Sequence, residues 1–518
     1  MAASWRAEHA VTRRDFLRVT GGVAAAASVA GLIGCSGAER DPAADAIKIP
    51  DPKGRFPKGD VSFRLMDSND TKGPFWEEFF RAYEKKHPNV KAKYDGLPWE
   101  RIEEVAPLGF RNGSAHDVLQ LPPSIPLTQA VGEGWLAPLE DAISDFDAWK
   151  GSFADEVFAE GVNVFDGKHY AAPLATEQRH FALLHYNSKL MEQAGYDPAS
   201  KPLTWEDYRA AAKKITKQGK GRAYGVVFEI AQPPRLEFVV SYLARSAGVA
   251  SVGTPAGYMD LKTGEFVYTQ DGIAEAIELM LSLKADGSVF PGSNSLVAPE
   301  SWPRVVRGNA GMVMGGPWVS ALWEKENEAF TFGVASHPVA DASGGIPPGY
   351  PVHGTDWVHV YAKSKVKDVA GDVLSYVNSV DGQKAWGKFV GAGNPPINDE
   401  ARKAMRGEAS AAQKRCLEIA DTMVANPSVE IRNPDVALAY RERKPITPTF
   451  GELIQALFVG KTKDVKGSLK KLQDASDKAL DDAIKAATKK GAKVSRDDWA
   501  FGNWDPSKPY TKADYDAL

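Results

Sequence analysis

The chain has 518 residues, of which 43% are hydrophobic and 25% charged, a composition typical of a soluble globular protein too long for one ordinary core. Its formal net charge of −4 gives no general electrostatic reason to bind nucleic acid. Only two cysteines occur, so we do not expect disulfides to hold the fold together. These features favour two globular lobes.

The first 35 residues carry the pattern of an export signal. Arg13 and Arg14 precede an uncharged stretch, residues 19–34, that is shorter than the roughly 20 residues that comfortably span a bilayer. The order TRRDFLR resembles the twin-arginine export motif, and LIGC resembles a lipobox that ends at Cys35. We predict a protein exported by the twin-arginine route and anchored through lipid on Cys35, facing the periplasm or the cell exterior. The alternative is an ordinary cleaved signal with an incidental cysteine.

The next segments predict a tether followed by an α/β lobe. Residues 36–59 combine proline, glycine and mixed charge without an apolar period, which predicts a flexible tether. VSFRL at residues 61–65 alternates as a strand does, and GPFWEEFFRAYEKKHP at 73–88 places five aromatic residues on one helical face. VKAKY at 90–94 alternates again. This strand, helix, strand order is the rhythm of an α/β lobe.

The same rhythm returns later in the chain. Thr204 and Asp207 nearly match a capping box before a helix, WEDYRAAAKKITKQ, and YGVVF then predicts a strand. Further helices are predicted at 271–287 and 369–390. The segment 468–491 is amphipathic, which predicts a helix with one charged, solvated face.

Four segments, taken together and in order, carry a family resemblance: residues 89–141, 165–216, 302–323 and 353–398. They resemble the family-1 extracellular solute-binding proteins, the maltose-binding-protein-like receptors of ABC importers. The resemblance implies two α/β lobes joined by hinge crossovers, with a solute in the cleft between them. The first lobe would comprise 60–173 and 354–393, and the second 174–353 and 394–518. We expect crossovers near 173–177, 340–354 and 391–398, where turn-forming residues cluster.

Two groups of candidate ligand-binding residues precede the middle of the chain. Asp67 and Asn69 follow the first predicted strand in MDSND, where such side chains either bind sugar hydroxyls or cap the following helix. Glu177, in PLATE, aligns with a sugar-binding glutamate of the family, and a hinge ion pair is the alternative role.

Three more candidates come from the later segments. Trp318, in MGGPW, matches the family's stacking tryptophan, because an indole lies well against the C–H face of a sugar. Asp356 and Trp357, in HGTDWV, follow small and polar residues that suit the edge of a cleft. Plain packing in the core is the alternative for both tryptophans.

The resemblance implies a receptor that is not an enzyme, with no cofactor and no metal site. Its partners would be a saccharide or related polyhydroxylated solute and the transmembrane subunits of an ABC permease, and we expect a monomer. The alternative is an exported lipoprotein glycoside hydrolase, which would need two suitably spaced carboxylates. The sequence contains no G-x-S-x-G, H-E-x-x-H, C-x-x-C or phosphate-binding glycine motif that would indicate another enzyme class.

Overall fold

The computed structural model describes residues 47–68 and 71–518. Arg13, Arg14 and Cys35 of the predicted signal, and the predicted site residue Asn69, lie outside the described residues. Among the helices that are described, none has both the length and the apolar character needed to cross a bilayer. The export route and the lipid anchor therefore stay predictions.

The described end of the predicted tether is packed against the folded body. Ile47 is 6% exposed and belongs to the first hydrophobic core. The ring of Phe56 lies 4.4 Å from that of His87, and Asp51 pairs with Lys86 at 2.6 Å. The prediction of a flexible tether over 36–59 is thus corrected from Ile47 onward, because its apolar side chains find partners on the first helix and the core beneath it.

Two sheets organise the described chain. The first has the order β2-β1-β3-β15-β4 and the second the order β13-β7-β12-β8, and β11-β10-β9, β5-β6 and β14-β16 form smaller sheets. The strands are β1 (Val61–Ser68), β2 (Val90–Leu97), β3 (Val118–Leu119), β4 (Leu136–Ala137), β5 (Val164–Phe165), β6 (Lys168–His169), β7 (Leu183–Asn187), β8 (Tyr224–Val226), β9 (Ser251–Thr254), β10 (Gly257–Asp260), β11 (Glu265–Phe266), β12 (Ala310–Gly315), β13 (Phe332–Ala335), β14 (Gly349–Tyr350), β15 (His359–Tyr361) and β16 (Val424–Ala425).

Helices cover these sheets. They are α1 (Gly73–Lys86), α2 (Trp99–Asn112), α3 (Leu127–Gly132), α4 (Phe146–Lys150), α5 (Ser188–Ala194), α6 (Trp205–Gly219), α7 (Pro233–Ser246), α8 (Asp271–Ala285), α9 (Ala298–Val306), α10 (Trp318–Glu326), α11 (Lys367–Val377), α12 (Val380–Val390), α13 (Asp399–Glu408), α14 (Ala411–Ala420), α15 (Val429–Arg432), α16 (Val436–Glu442), α17 (Phe450–Val459), α18 (Val465–Lys489) and α19 (Lys512–Asp516).

The first lobe is the body around the first sheet. β1 runs parallel to β2 and β3, whereas β15 runs antiparallel to β3 and β4. Helix α1 begins with Pro74 in its first turn and buries the predicted aromatic stripe, since Phe75, Trp76, Phe79, Phe80 and Tyr83 are each at most 5% exposed. They pack with α11 and α12 over one face of the sheet. The predicted strand, helix, strand order is confirmed.

The second lobe is the body around the second sheet. Thr204 caps α6 as predicted: its hydroxyl accepts from the amide of Asp207 at 3.0 Å and donates to that carboxylate at 2.9 Å. A satisfied cap of this kind stabilises a helix by about 1 kcal/mol. The predicted amphipathic helix is α18, which buries Leu469, Leu472 and Leu480 against the same core as α6, α7 and α8.

The chain passes between the lobes at three places, and the crossing segments meet. Ala175 forms isolated antiparallel bridges with both Thr355 and Pro396. The amide of Thr355 donates to the carbonyl of Ala175 at 2.8 Å, and the amide of Thr176 donates to the carbonyl of Pro395 at 2.9 Å. Three segments far apart in sequence therefore lie side by side between the two sheets.

Candidate functional site

A cavity of about 620 Å³ lies where loops of both lobes face each other. Its first-lobe wall comes from the loop between β3 and α3, and its second-lobe wall from α7, β9 and residues 426–430. The crossing segments and the residues next to them add Glu177, Arg179 and 353–357. This volume is within the range of small-molecule sites, which are roughly 300–1,000 Å³.

Aromatic rings make up much of the cavity wall. The rings of Phe181 and Phe238 stack with their centroids 5.0 Å apart. Trp357 is half-buried and donates from its indole N–H to the carbonyl of His353 at 3.3 Å, which fixes the ring. Flat apolar faces of this kind suit the C–H face of a cyclic ligand. The aromatic residues on the wall are Phe181, Phe238, Tyr242, Tyr258, Tyr350 and Trp357.

A buried network of charges lies beside these rings. Asp356 accepts from Lys72 Nζ at 3.2 Å and from Arg179 Nη1 at 3.2 Å. Burial acts to raise the pKa of Asp356, but the two cations together outweigh it and hold the pKa below its usual value. Arg179 also pairs with Glu177 at 3.4 Å and donates to Asn394, so it ties all three crossing segments together. Burial raises the pKa of Glu177, with Arg179 opposing the rise.

Three residues of the cavity wall hold buried polar atoms that have no hydrogen-bond partner among the described residues: Arg179 Nε, His353 Nε2 and Asn426 Oδ1. The guanidinium Nε can only donate. His353 Nδ1 faces the carbonyl of Glu156 at 2.9 Å, and burial lowers the pKa of this histidine to about 4, so Nδ1 carries the proton and Nε2 is an acceptor. Residues of the cavity wall thus hold one buried donor and two buried acceptors that have no partner among the described residues.

The structure brings three predicted residues together on this wall: Glu177, Asp356 and Trp357. Asp67 is not among them. It is fully buried, and its carboxylate accepts from Trp76 Nε1 and Tyr94 Oη, each at 2.7 Å. Burial raises the pKa of Asp67 to about 6, against the opposing effect of Lys72. The predicted ligand contact is corrected, because the carboxylate is used to join β1, β2 and α1.

Trp318 also lies off the cavity wall. The guanidinium carbons of Arg179 and Arg235 lie 5.8 Å and 5.6 Å from the ring centroid of Trp318, and the ring packs edge-on against Phe181 at 5.6 Å. Trp318 is half-buried and contacts two residues that do line the cavity, Arg179 and Phe181. Its stacking on a ligand stays a prediction.

Several wall residues carried no signal in the sequence. Tyr242 and Arg245 are on α7, Tyr350 is on β14, and Glu430 is on α15. No motif in the sequence around them marks these residues as part of a binding site. Arg179 stands two residues after Glu177 and could have been found through that proximity. No group of three or more histidine, cysteine, aspartate or glutamate side chains positioned for a metal ion occurs within 47–68 and 71–518.

Comparison with known proteins decides the family. Residues 67–384, more than half of the chain, match the family model described as bacterial extracellular solute-binding protein. The chain belongs to this family. Members of this family are binding proteins, and a cavity between two lobes is a suitable place to bind a solute.

Individual relatives agree with this assignment. A Brucella abortus (strain 2308) protein named as a binding protein is 28% identical over 347 residues, which is 67% of this chain and 78% of that protein. The GacH receptor of Streptomyces glaucescens, solved without ligand and with acarbose, has a TM-score of 0.60 at 20% identity and covers 82% of this chain and 99% of its own. The maltotriose-bound MalE domain of Bdellovibrio bacteriovorus has a TM-score of 0.60 at 18% identity, covering 82% and 100%. The two-lobe fold of solute-binding proteins is shared.

Proposed function

We propose that this solute-binding protein captures a saccharide or a related polyhydroxylated solute in the cavity and releases it to an ABC permease. The observation that carries the proposal is the mixture of polar and aromatic groups on the wall. Hydroxyl groups both donate and accept, so they can bond to polar wall residues such as Glu177, Tyr242 and Thr254. The solved neighbours named above bind acarbose and maltotriose, respectively.

The proposed roles follow from position. Trp357 supplies a half-buried ring face, and Glu177 supplies a carboxylate that is 20% exposed and can accept from hydroxyls. Asp356 is held by Lys72 and Arg179, so its role is to orient Arg179 toward the solute rather than to bind alone. Solute that touches both lobes favours the closed arrangement by its differential affinity for that arrangement.

Calorimetric titration of the purified protein tests the proposal. The panel contains monosaccharides, oligosaccharides, polyols and glycerophosphodiesters, and the product of each incubation is examined by chromatography. We expect tight binding of at least one saccharide, and recovery of that saccharide intact. Binding of a glycerophosphodiester alone would overturn the saccharide assignment, and release of smaller sugars would show a hydrolase.

We further propose that the protein acts as a lipid-anchored monomer at the outer side of the cell membrane. The twin-arginine pattern and Cys35 support this, because two or three acyl chains hold a globular domain at a membrane. Labelling with a fatty-acid analogue should mark the wild-type protein and not Cys35→Ala, which should be released from the membrane. Equal labelling of both proteins would refute the anchor.

A further inference from the structure

Residues 426–442, called the cap, form a segment of the second lobe that contains α15 and α16 and contributes to one wall of the cavity. Five consecutive residues at its start, 426–430, line the cavity. Val429, Val436 and Ala439 anchor it in the core of the second lobe. The cap and its supports lie beyond residue 384, where the match to the family model ends.

The cap is braced by the residues that follow α18. Ser428 N donates to Tyr515 Oη at 2.6 Å, and Asn433 Nδ2 donates to the carbonyl of Lys493 at 2.8 Å. Arg432 donates to the carbonyl of Ala500. Bonds from three separate points of residues 493–515 hold the cap in one position.

The outer surface of the cap docks on the first lobe. Pro434 lies against Gly161, where an added Cβ would come within 3.0 Å of the proline carbonyl oxygen. The guanidinium of Arg441 lies over Gly132, at the end of α3, where an added Cβ would come within 2.6 Å of Nη1. The first-lobe loop that precedes α3 and the cap residues 426–430 line the same cavity. On this side of the cavity, the cap therefore connects the second lobe to the first.

We infer that the cap sets the length of the solute. This inference rests on the proposed function and deepens it: the site takes a short saccharide and discriminates against longer chains of the same sugar. A longer chain that extended past residues 426–430 would meet the contact between cap and first lobe, and it would break the packing of Pro434 and Arg441. Glu430 lines the cavity at this end, and its carboxylate accepts from Ser428 Oγ at 2.8 Å.

Two glycines of the first lobe offer a matched pair of variants. Gly161 has a φ of 81° and is in contact with Pro434, whereas Gly167 has a φ of 70° and would leave an added Cβ with open space around it. Alanine introduces similar backbone strain at both positions, but only Gly161→Ala pushes the cap away. Arg441→Ala weakens the other contact without backbone strain.

Hydrogen exchange tests docking without any solute. Gly161→Ala and Arg441→Ala should raise the exchange of α3 above that of wild type, and Gly167→Ala should leave α3 unchanged. Equal exchange of α3 in all four proteins would show that the cap does not dock, and this would overturn the inference whatever sugar binds.

Titration with maltose, maltotriose and maltoheptaose then tests the selection by length. Wild type and Gly167→Ala should bind maltoheptaose about tenfold or more weakly than the best short sugar, and Gly161→Ala and Arg441→Ala should narrow that ratio. Wild-type binding of maltoheptaose as tight as that of the short sugars would overturn the inference while leaving the proposed function intact. If none of the three binds, the malto series is excluded as the solute, and the same titration is made with short and long members of the saccharide series that the panel identifies. Equal affinity for the short and long members would overturn the inference.

Discussion

Asp356 has a backbone φ of 51°, in the left-handed region that residues other than glycine seldom adopt. Such a conformation costs about 1–3 kcal/mol and persists only where the surroundings determine it. Here the carboxylate is held from two sides by Lys72 and Arg179, each at 3.2 Å. The strained turn places Trp357 on the cavity wall immediately after it.

Trp357→Ala should weaken the bound saccharide by about 1–3 kcal/mol, because an aromatic anchor in a desolvated site is lost. Titration calorimetry with the best ligand of the panel measures the change. Trp99→Ala is the matched control, since Trp99 is also half-buried but is not part of the cavity wall. Equal affinities of Trp357→Ala and wild type, with folding intact, would place the ligand elsewhere.

Asp67 gives a prediction about stability and pH. Its pKa is about 6 in the folded protein and 3.8 as an ordinary carboxyl, so the folded state binds the proton first as the pH falls. The contribution of Asp67 to the free energy of unfolding should therefore increase by about 2–3 kcal/mol between about pH 8 and pH 4, and be lost again as the pH rises through 6.

Urea unfolding of wild type and Asp67→Asn across this pH range measures the contribution, because asparagine does not titrate. The wild type should gain stability over the variant toward acid pH. Asp155→Asn, at an exposed position, reports the effect of the same substitution outside the core. A gap between wild type and Asp67→Asn that widens toward alkaline pH would contradict the prediction.

At the scale of elements, the junction of the three crossing segments depends on Gly354. Its φ is 73°, and an added Cβ would lie 2.5 Å from Ile397 Cδ1 and 3.0 Å from both Pro173 Cβ and the carbonyl oxygen of Ala175. These three contacts come from the two other crossing segments. The residue has no room for a methyl group, so the close approach of the segments requires glycine.

Gly354→Ala should lower the free energy of unfolding by about 1–3 kcal/mol more than Gly344→Ala does, because the first adds overpacking to backbone strain. Gly344 has a φ of 80° and open space around it, so its variant carries the strain alone. Thermal and urea unfolding give both values. The same loss in the two variants would mean that the junction adjusts freely.

Local sequence patterns predicted the helices and strands better than they predicted the residues of the cavity wall. The spacing of the aromatic residues on α1 and the N-terminal capping of α6 by Thr204 depend on neighbours within four residues. The sequence predicts both features. The cavity wall joins the β3–α3 loop, α7, β14 and α15, and no local pattern encodes that meeting. Asp67 illustrates the limit. Its position at the end of a strand was predicted, but its burial and its bonds to Trp76 and Tyr94 direct the carboxylate into the protein instead of toward the cavity.

At the scale of the whole molecule, binding should compact the protein. A solute that fills the proposed site would touch residues of both lobes, so it would favour the docked arrangement over any in which the lobes stand apart. Small-angle scattering should show a smaller radius of gyration with saturating saccharide, and the decrease should be larger in Gly161→Ala, where docking of the cap is weakened. Unchanged profiles in both proteins with a tight ligand would indicate a rigid pocket.

The position of β15 in the first sheet has a consequence for biosynthesis. β15 is the neighbour that joins β4 to β3, yet it is made more than 200 residues after β4. At about 5–20 residues per second, the ribosome needs on the order of 10–40 seconds to supply it. During that time the first sheet has a gap and an unpaired edge, and such long-range pairing is slow to form. A nascent chain that ends before residue 361 therefore lacks the strand that completes its first lobe, however well α1 and β1 have already packed.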